Sequence, residues 1–216
     1  LSKVPILGVD FYNSVTYVSY LTRNLSFQFN GFKDIWFGGY PMQRDFISLH
    51  YYPMIFFARF FELVRGIQIY VLLSVFLLAV FTYLLYFLIT KSRIFSVLLT
   101  FFVLYSANIY GSGIWGGSLP YFTTQFFLPF TLLLVFKYVQ SSNRKWLMAS
   151  MLVAGLGFLG HPLLMFAFTT PAASILILFG LSGERRSFLS EMIFRIKKVL
   201  IFATGTAIVA LPITFD

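Results

Sequence analysis

Four long stretches of this chain carry no charged side chain, and their lengths limit what the chain can fold into. They cover Ile67–Thr90, Ile94–Phe136, Trp146–Gly183 and Val199–Phe215. A membrane-spanning helix needs about 20 apolar residues. The whole chain is 59% hydrophobic and 11% charged, whereas a soluble domain carries about 25% charged residues. These features exclude an ordinary soluble domain and predict an all-α, polytopic transmembrane helical bundle.

The longer runs must turn back within the membrane. Ile67–Thr90 has the length of one span, but the two next runs would each exceed the bilayer thickness as a single helix at about 1.5 Å per residue. Gly111–Pro120 and Gly160–Pro162 supply the breaks, because glycine and proline disfavour helix interiors. Residues 67–216 are therefore predicted to form a bundle of about six spans. Because the chain begins at Leu1 and ends just after an apolar run, we expect it to be a fragment of a longer protein.

Positive charge predicts the orientation of these spans. Short cytoplasmic loops accumulate Lys and Arg, and the breaks between spans alternate between strongly basic ones and ones without basic residues. The basic set, predicted to be cytoplasmic, contains Lys91, Arg93, Lys137, Arg144, Lys145, Arg185, Arg186, Arg195, Lys197 and Lys198. Residues 188–198 within it have the pattern of an interfacial helix. The opposite, extracytoplasmic side then receives residues 1–66, the glycine loop and the turn at His161.

Residues 1–66 form the predicted extracytoplasmic loop, with helices that lie along the membrane. Phe11, Val15 and Val18 recur at helical spacing and predict a short amphipathic helix. A second helix is predicted from Tyr52-Pro53 through Arg65-Gly66, with proline at an initial position. Turn signals dominate the segment between them.

Several functions are excluded or disfavoured by composition. The chain has no cysteine, so thiolate metal sites and cysteine nucleophiles are ruled out. Its formal charge of +9 is explained by membrane topology, and no nucleic acid partner is predicted. Gly111–Gly116 spells G-x-G-x-x-G, but a dinucleotide fingerprint requires a strand before it and a helix after it. Here the string links two predicted membrane spans, so no dinucleotide-binding site is predicted. Apart from His161, the predicted spans lack interior ionisable residues, which argues against an ion-coupled transporter.

Asp10 is the candidate catalytic residue. A carboxylate at the start of a loop helix near the membrane can act as general base on an acceptor hydroxyl. It can equally be a helix N-cap, and the sequence leaves both roles open. Asp34 and Asp45 have basic neighbours, which favours solvated ion pairs.

The basic and aromatic residues of the same side are candidate substrate ligands. Arg44, Arg59 and Arg65 are suited to bind a phosphate group. Arg59, Glu62 and Arg65 also have the spacing of an ion-pair ladder on a helix. His161 is a candidate for phosphate or acceptor binding, or an interfacial hydrogen-bonded residue. Trp115 is a candidate for stacking on a sugar, or an interfacial anchor.

A set of short motifs resembles a known enzyme class. Asp10 near the start of an external loop is followed by Trp36-Phe37-Gly38-Gly39-Tyr40-Pro41, then Tyr51-Tyr52-Pro53, and then by many spans. This order resembles the GT-C class of integral membrane glycosyltransferases, including bacterial and archaeal membrane proteins described as related to 6-pyruvoyl-tetrahydropterin synthase. The resemblance covers the chain loosely. In that class a first-loop acid, often followed closely by His or a second acid, is the catalytic base; here Phe11-Tyr12-Asn13 follows Asp10.

The resemblance implies a function. Such enzymes transfer a sugar from a polyprenyl-phosphate donor to a lipid, glycan or protein acceptor, on the extracytoplasmic side of a bacterial or archaeal plasma membrane. Membrane lipid and the lipid-linked sugar are the implied partners; no cofactor is implied and a divalent metal is left open. Two other classes remain as alternatives: a transporter or flippase for lipid or polysaccharide, for which Ser106, Asn108, Thr124 and Gln125 offer a modest polar path, and a non-catalytic membrane scaffold.

Overall fold

Over the residues that it describes, the computed structural model of the protein is all-α apart from one very short strand pair. It describes residues 14–16, 18–19, 22, 32–33, 40–41, 51–106, 119–180 and 188–211. The strands are β1 (Phe32–Lys33) and β2 (Tyr40–Pro41), which pair antiparallel. The helices are α1 (Tyr51–Phe61), α2 (Leu63–Thr90), α3 (Arg93–Leu104), α4 (Leu119–Thr124), α5 (Phe127–Ser141), α6 (Arg144–Gly160), α7 (Pro162–Leu164), a π-helical turn (Met165–Thr169), α8 (Thr170–Gly180) and α9 (Phe188–Ala210).

Three helical segments among the described residues are long and apolar enough to cross a membrane. They are Leu63–Thr90, Tyr121–Ser141 and Pro162–Gly180. Large apolar side chains on their outer faces are exposed, for example Phe76, Phe166 and Phe179, as expected of faces that contact lipid instead of water. The structure confirms a helical fold of membrane-spanning character. The number of six spans stays a prediction, since α3 has only 12 residues and α6 only 17.

The first span begins earlier than predicted. Glu62 adopts a left-handed backbone with φ 71° and separates α1 from α2, so the break lies at Glu62 and Arg65-Gly66 belong to the span. Gly66 then allows α1 to fold back onto α2, because a Cβ at this position would collide with the backbone of Ala58. The contact buries Tyr51, Met54, Ala58, Ile67, Tyr70 and Val71 in one apolar cluster.

Part of the predicted N-terminal amphipathic helix lies within the described residues. Residues 14–16, 18–19 and 22 are helical. Val18 is fully buried in the cluster between α1 and α2, and Val15 packs against it. The apolar stripe predicted from the sequence is therefore confirmed at these two positions, while Phe11 lies outside the described residues.

The helices alternate in direction and give the bundle two different ends. Tyr70 and Leu119 share one apolar cluster, and the ring of Phe81 stacks on Phe130 at 3.9 Å between centroids, so α2 and α5 run parallel. Helix α6 returns antiparallel to α5, since a Cβ at Gly160 would meet Thr124. One end therefore holds the turns that carry Lys91, Arg93, Arg144 and Lys145, and we call it the basic end. The other, the histidine end, holds His161.

Prolines shape the middle of the bundle. Pro129 has no N–H to donate to the Gln125 carbonyl, and its ring crowds that carbonyl. The helix is therefore interrupted by a turn at Gln125 and Phe126, which separates α4 from α5. The N–H of Leu128 donates to the Gln125 oxygen at 3.2 Å instead. Pro171 follows the π-helical turn, in which the Thr170 N–H reaches back to Met165. The predicted break before Pro162 is confirmed, because α6 ends at Gly160.

The C-terminal region forms one helix where the sequence predicted two elements. We expected an interfacial helix over 188–198 and a separate span from Val199, but α9 is continuous over Phe188–Ala210. No glycine or proline occurs between Lys197 and Ile201, so the helical hydrogen bonds continue through the junction. Helix α9 packs along α6, where a Cβ at Gly155 would collide with Val209.

Arg195 fastens the start of α9 to the end of α8. Its Nε donates to Glu191 Oε1 at 2.7 Å and its Nη1 donates to the carbonyl oxygen of Leu178 at 2.6 Å. The side chains of Arg195 and Glu191 are only 21% and 16% exposed. The guanidinium thus satisfies a helix C-terminal carbonyl and a carboxylate at the same time.

Replacing Arg195 by Leu should therefore destabilise the protein. The change leaves the Glu191 carboxylate without its charged partner, with an expected loss of about 1 to 3 kcal/mol. Thermal denaturation in detergent would show this loss of stability as a lower midpoint temperature. The double variant Arg195→Leu/Glu191→Leu should recover much of this loss, because no unpaired charge remains; a double variant as unstable as the single one would contradict the role of the pair.

Candidate functional site

The structure describes two of the five predicted site residues. His161 lies in the turn between α6 and α7, and Arg59 lies in the last turn of α1. Asp10, Arg44 and Trp115 lie outside the described residues. Since α1 ends beside the start of α2, Arg59 and His161 lie toward the same end of the bundle, the histidine end.

His161 caps two helices at once. It precedes Pro162, and proline restricts the preceding residue to extended backbone; its φ is −154° and its ψ is 94°. Its N–H donates to the Gly157 oxygen at 2.8 Å and ends α6. Its Nδ1 accepts a hydrogen bond from the Leu164 N–H at 3.2 Å and begins α7. The interpretation of His161 as a hydrogen-bonded residue of the turn therefore agrees with the structure.

The surroundings of His161 favour a neutral imidazole. Burial lowers the pKa of His161 below its ordinary value, and a backbone hydrogen bond opposes this shift to a smaller extent. Because Nδ1 accepts a hydrogen bond, the proton of the neutral ring is assigned to Nε2. The ring meets Tyr121 edge-on, with centroids 5.3 Å apart and an interplanar angle of 75°. His161 can thus donate one hydrogen bond from Nε2 while it keeps the helix capped.

Arg59 is exposed, and the predicted ion-pair ladder is only partly present. Arg65 approaches Glu62 at 3.9 Å, with both side chains well exposed. Exposed ion pairs of this kind contribute little to stability. Arg59 has no ion pair with a described residue, so its guanidinium remains suited to an anionic ligand.

A cavity of about 380 Å³ lies among α2, the end of α3, the α4–α5 break and the turn around α7. Its lining is mainly apolar, with Leu78, Leu85, Leu128 and Phe168 among the contributors. Tyr121 and Leu164 also line it. Because Tyr121 contacts the His161 ring and Leu164 donates to His161 Nδ1, the cavity lies next to His161.

Two polar side chains in the cavity wall have an unsatisfied atom. Thr82 Oγ1 and Gln125 Nε2 are buried and have no hydrogen-bond partner in the described structure. Some other buried hydroxyls bond to their own helix, such as Ser74 to the Tyr70 oxygen at 2.8 Å and Thr100 to the Ser96 oxygen at 2.7 Å. Outside the cavity wall, the hydroxyls of Thr131, Thr169, Thr170 and Thr206 also have no partner among the described residues. Gln125 lies in the turn between α4 and α5, where Pro129 interrupts the helical hydrogen bonds. These two atoms are the least satisfied part of the cavity wall.

The sequence identified only some of the polar residues that line this cavity. Gln125 and Ser106 were recognised as polar residues of the apolar runs, but Thr82 was missed. The available signal was the spacing of Leu78, Thr82 and Leu85, which places a hydroxyl among apolar side chains on one face of the helix. Nothing in the sequence indicated that this face meets Gln125.

The fold is that of a helical protein with segments of membrane-spanning length. Comparison with known proteins does not assign it to a family. No protein-family model, curated protein or solved structure matches the chain. Among the described residues no group of three or more His, Asp or Glu side chains is placed to hold a metal ion.

Proposed function

We propose that this chain belongs to an integral membrane glycosyltransferase of the GT-C type, which transfers a sugar from a polyprenyl-phosphate donor to a lipid, glycan or protein acceptor. One observation carries the proposal: His161, whose Nδ1 accepts the Leu164 N–H and whose Nε2 is left to bind a ligand, lies at the end of the bundle opposite the basic turns. A lipid-linked donor would present its phosphosugar head at this end, while its hydrocarbon tail stays in the surrounding lipid.

The proposed reaction occurs at the histidine end. By the positive-inside rule the basic end faces the cytoplasm, so the histidine end and residues 1–66 face the extracytoplasmic side of the plasma membrane of a bacterium or archaeon. Asp10 takes the proton of the acceptor hydroxyl, whose oxygen attacks the anomeric carbon of the sugar. The bond from that carbon to the phosphate oxygen breaks, and polyprenyl phosphate leaves. His161 Nε2 and the guanidinium groups of Arg59 and Arg44 bind phosphate oxygens, and Trp115 stacks on the sugar.

A lipid transporter is the second candidate. It is favoured by the cavity wall, where Ser106 and Gln125 lie together; both belong to the polar path that this function would need. A transporter would move a labelled lipid without forming a glycosidic bond, so an assay of the product separates the two candidates.

The test is sugar transfer by the full-length protein in membranes supplied with radiolabelled polyprenyl-phosphate sugars. We expect the parent to transfer sugar above empty membranes. His161→Asn should raise the KM for the donor about 10-fold, the equivalent of one charge-assisted hydrogen bond, because Asn still caps α7 but lacks the imidazole. His50→Asn, the same change at the other histidine of the chain, should leave the KM unchanged.

Two results would count against the proposal. If the folded parent transfers no sugar from any donor tested, the glycosyltransferase assignment is wrong. If the parent is active and His161→Asn retains the parent KM, His161 is only a helix cap and the donor phosphate is bound elsewhere.

A further inference from the structure

The cavity beside His161 has a chemistry that differs from a phosphate site. Its wall is mainly apolar, and no Lys, Arg, Asp or Glu among the described residues lines it. The polar members of the lining are Thr82, Tyr86, Ser106, Tyr121 and Gln125. An anionic head group inside it would have no counter-charge, which is costly in a medium of low dielectric constant. The cavity therefore disfavours a phosphate and favours an uncharged ligand.

The size and wall of the cavity indicate an amphiphile. Its volume of about 380 Å³ lies within the range of about 300 to 1,000 Å³ typical of small-molecule sites. The apolar wall suits a hydrocarbon chain. Thr82 and Gln125 are only 3% and 7% exposed, and their Oγ1 and Nε2 have no partner among the described residues, although groups buried within a bundle are normally hydrogen-bonded. Neither atom has appreciable accessible surface, so ligand binding requires a rotation of the Thr82 side chain and of the Gln125 amide, whose terminal torsion is soft.

We propose that this cavity binds one molecule of a neutral lipid that carries a hydroxyl or carbonyl group. The oxygen of that group accepts a hydrogen bond from Gln125 Nε2 and bonds with Thr82 Oγ1, and the hydrocarbon chain lies along Leu78, Leu85 and Phe168. The π-helical turn at Met165–Thr169 supplies Phe168 to the wall, and such turns are frequent at functional sites. The binding requires no sugar transfer, so it stands independently of the glycosyltransferase proposal.

The test uses a photoreactive long-chain alcohol, a hexadecanol with a diazirine in its chain, on the purified full-length protein in detergent. Labelled peptides should come from α2, α5 and the segment Leu164–Phe168. Gln125→Leu and Thr82→Val should each lower the labelling about 3- to 10-fold, as expected for the loss of one hydrogen bond. Both variants should fold, because each replaces a buried polar group that lacks a partner by an apolar group of similar size.

Matched controls separate binding from general effects on the bundle. Thr131 lies on α5, is fully buried and also has an unpaired Oγ1 within the described structure, but it does not line the cavity. Thr131→Val should therefore leave the labelling unchanged. Leu78→Phe fills the cavity without altering its polar atoms and should abolish labelling. Unlabelled hexadecanol should compete at least about 10-fold better than hexadecyl phosphate, because the wall has no cation for the phosphate.

Three outcomes would overturn the inference. They are labelling of Gln125→Leu and Thr82→Val equal to that of the parent, labelled peptides that lie only outside the cavity wall, and equal competition by the alkyl phosphate. The last result would assign the cavity to a charged lipid. None of these experiments measures sugar transfer, so their failure is distinguishable from failure of the glycosyltransferase proposal.

Discussion

Replacement of Asp10 by Asn should lower sugar transfer by about 10²- to 10⁴-fold, the usual contribution of a general base. Asparagine caps a helix as well as aspartate does, so the variant keeps the alternative structural role of Asp10 and removes only its ability to take a proton. The measurement is transfer from a radiolabelled polyprenyl-phosphate donor in membranes, with parent and variant at equal protein abundance.

The control for this experiment is Asp34→Asn, at a residue that the sequence predicts to form a solvated ion pair with its basic neighbour Lys33. We expect this variant to retain parent activity. Equal transfer by Asp10→Asn and the parent would show that Asp10 is only a cap and that another residue is the base. Loss of transfer together with loss of folded protein would instead assign Asp10 to stability and contradict its catalytic role.

Gly66→Ala should destabilise the protein, although alanine is normally the better helix former by about 1 kcal/mol. The new methyl group would collide with the backbone of Ala58, which cannot rotate away as a side chain can. Helix α1 would have to move from α2 and open the buried cluster around Met54 and Ile67. Overpacking of this kind costs about 1 to 3 kcal/mol, which for a chain of this size corresponds to a fall of about 5 °C in the apparent Tm.

Gly205→Ala is the matched control. Gly205 is also helical, but the three atoms nearest to a methyl group added there all belong to the flexible Met151 side chain. This variant should keep the parent Tm or raise it slightly. If Gly66→Ala raised the Tm as well, the close packing of α1 on α2 would be wrong, and helix propensity alone would describe both positions.

Local signals predicted some breaks of the chain better than others. The end of α6 before Pro162 was anticipated because glycine, histidine and proline interrupt a run too long for one span. The turn at Gln125 and the π-helical turn before Pro171 were missed. In those places a single proline interrupts the hydrogen bonding locally without ending the apolar run, so length and hydropathy do not change.

Near the C-terminus the sequence predicted a break where the structure has none. The change from basic to apolar residues near Lys198 suggested two elements, but a change of polarity does not break backbone hydrogen bonds. Helix α9 therefore continues through it, and Arg195 at its start is held by Glu191 and the end of α8.

The amino-acid sequence by itself determined that the protein is helical, that it has segments of membrane-spanning length, and that basic residues gather in alternate turns. These properties depend on local composition and on hydrogen bonds within each helix. Only the tertiary structure decided that His161 contacts Tyr121, and that Thr82 and Gln125 line one cavity. Those contacts depend on which faces of helices distant in sequence meet, and such faces are selected by packing across the bundle.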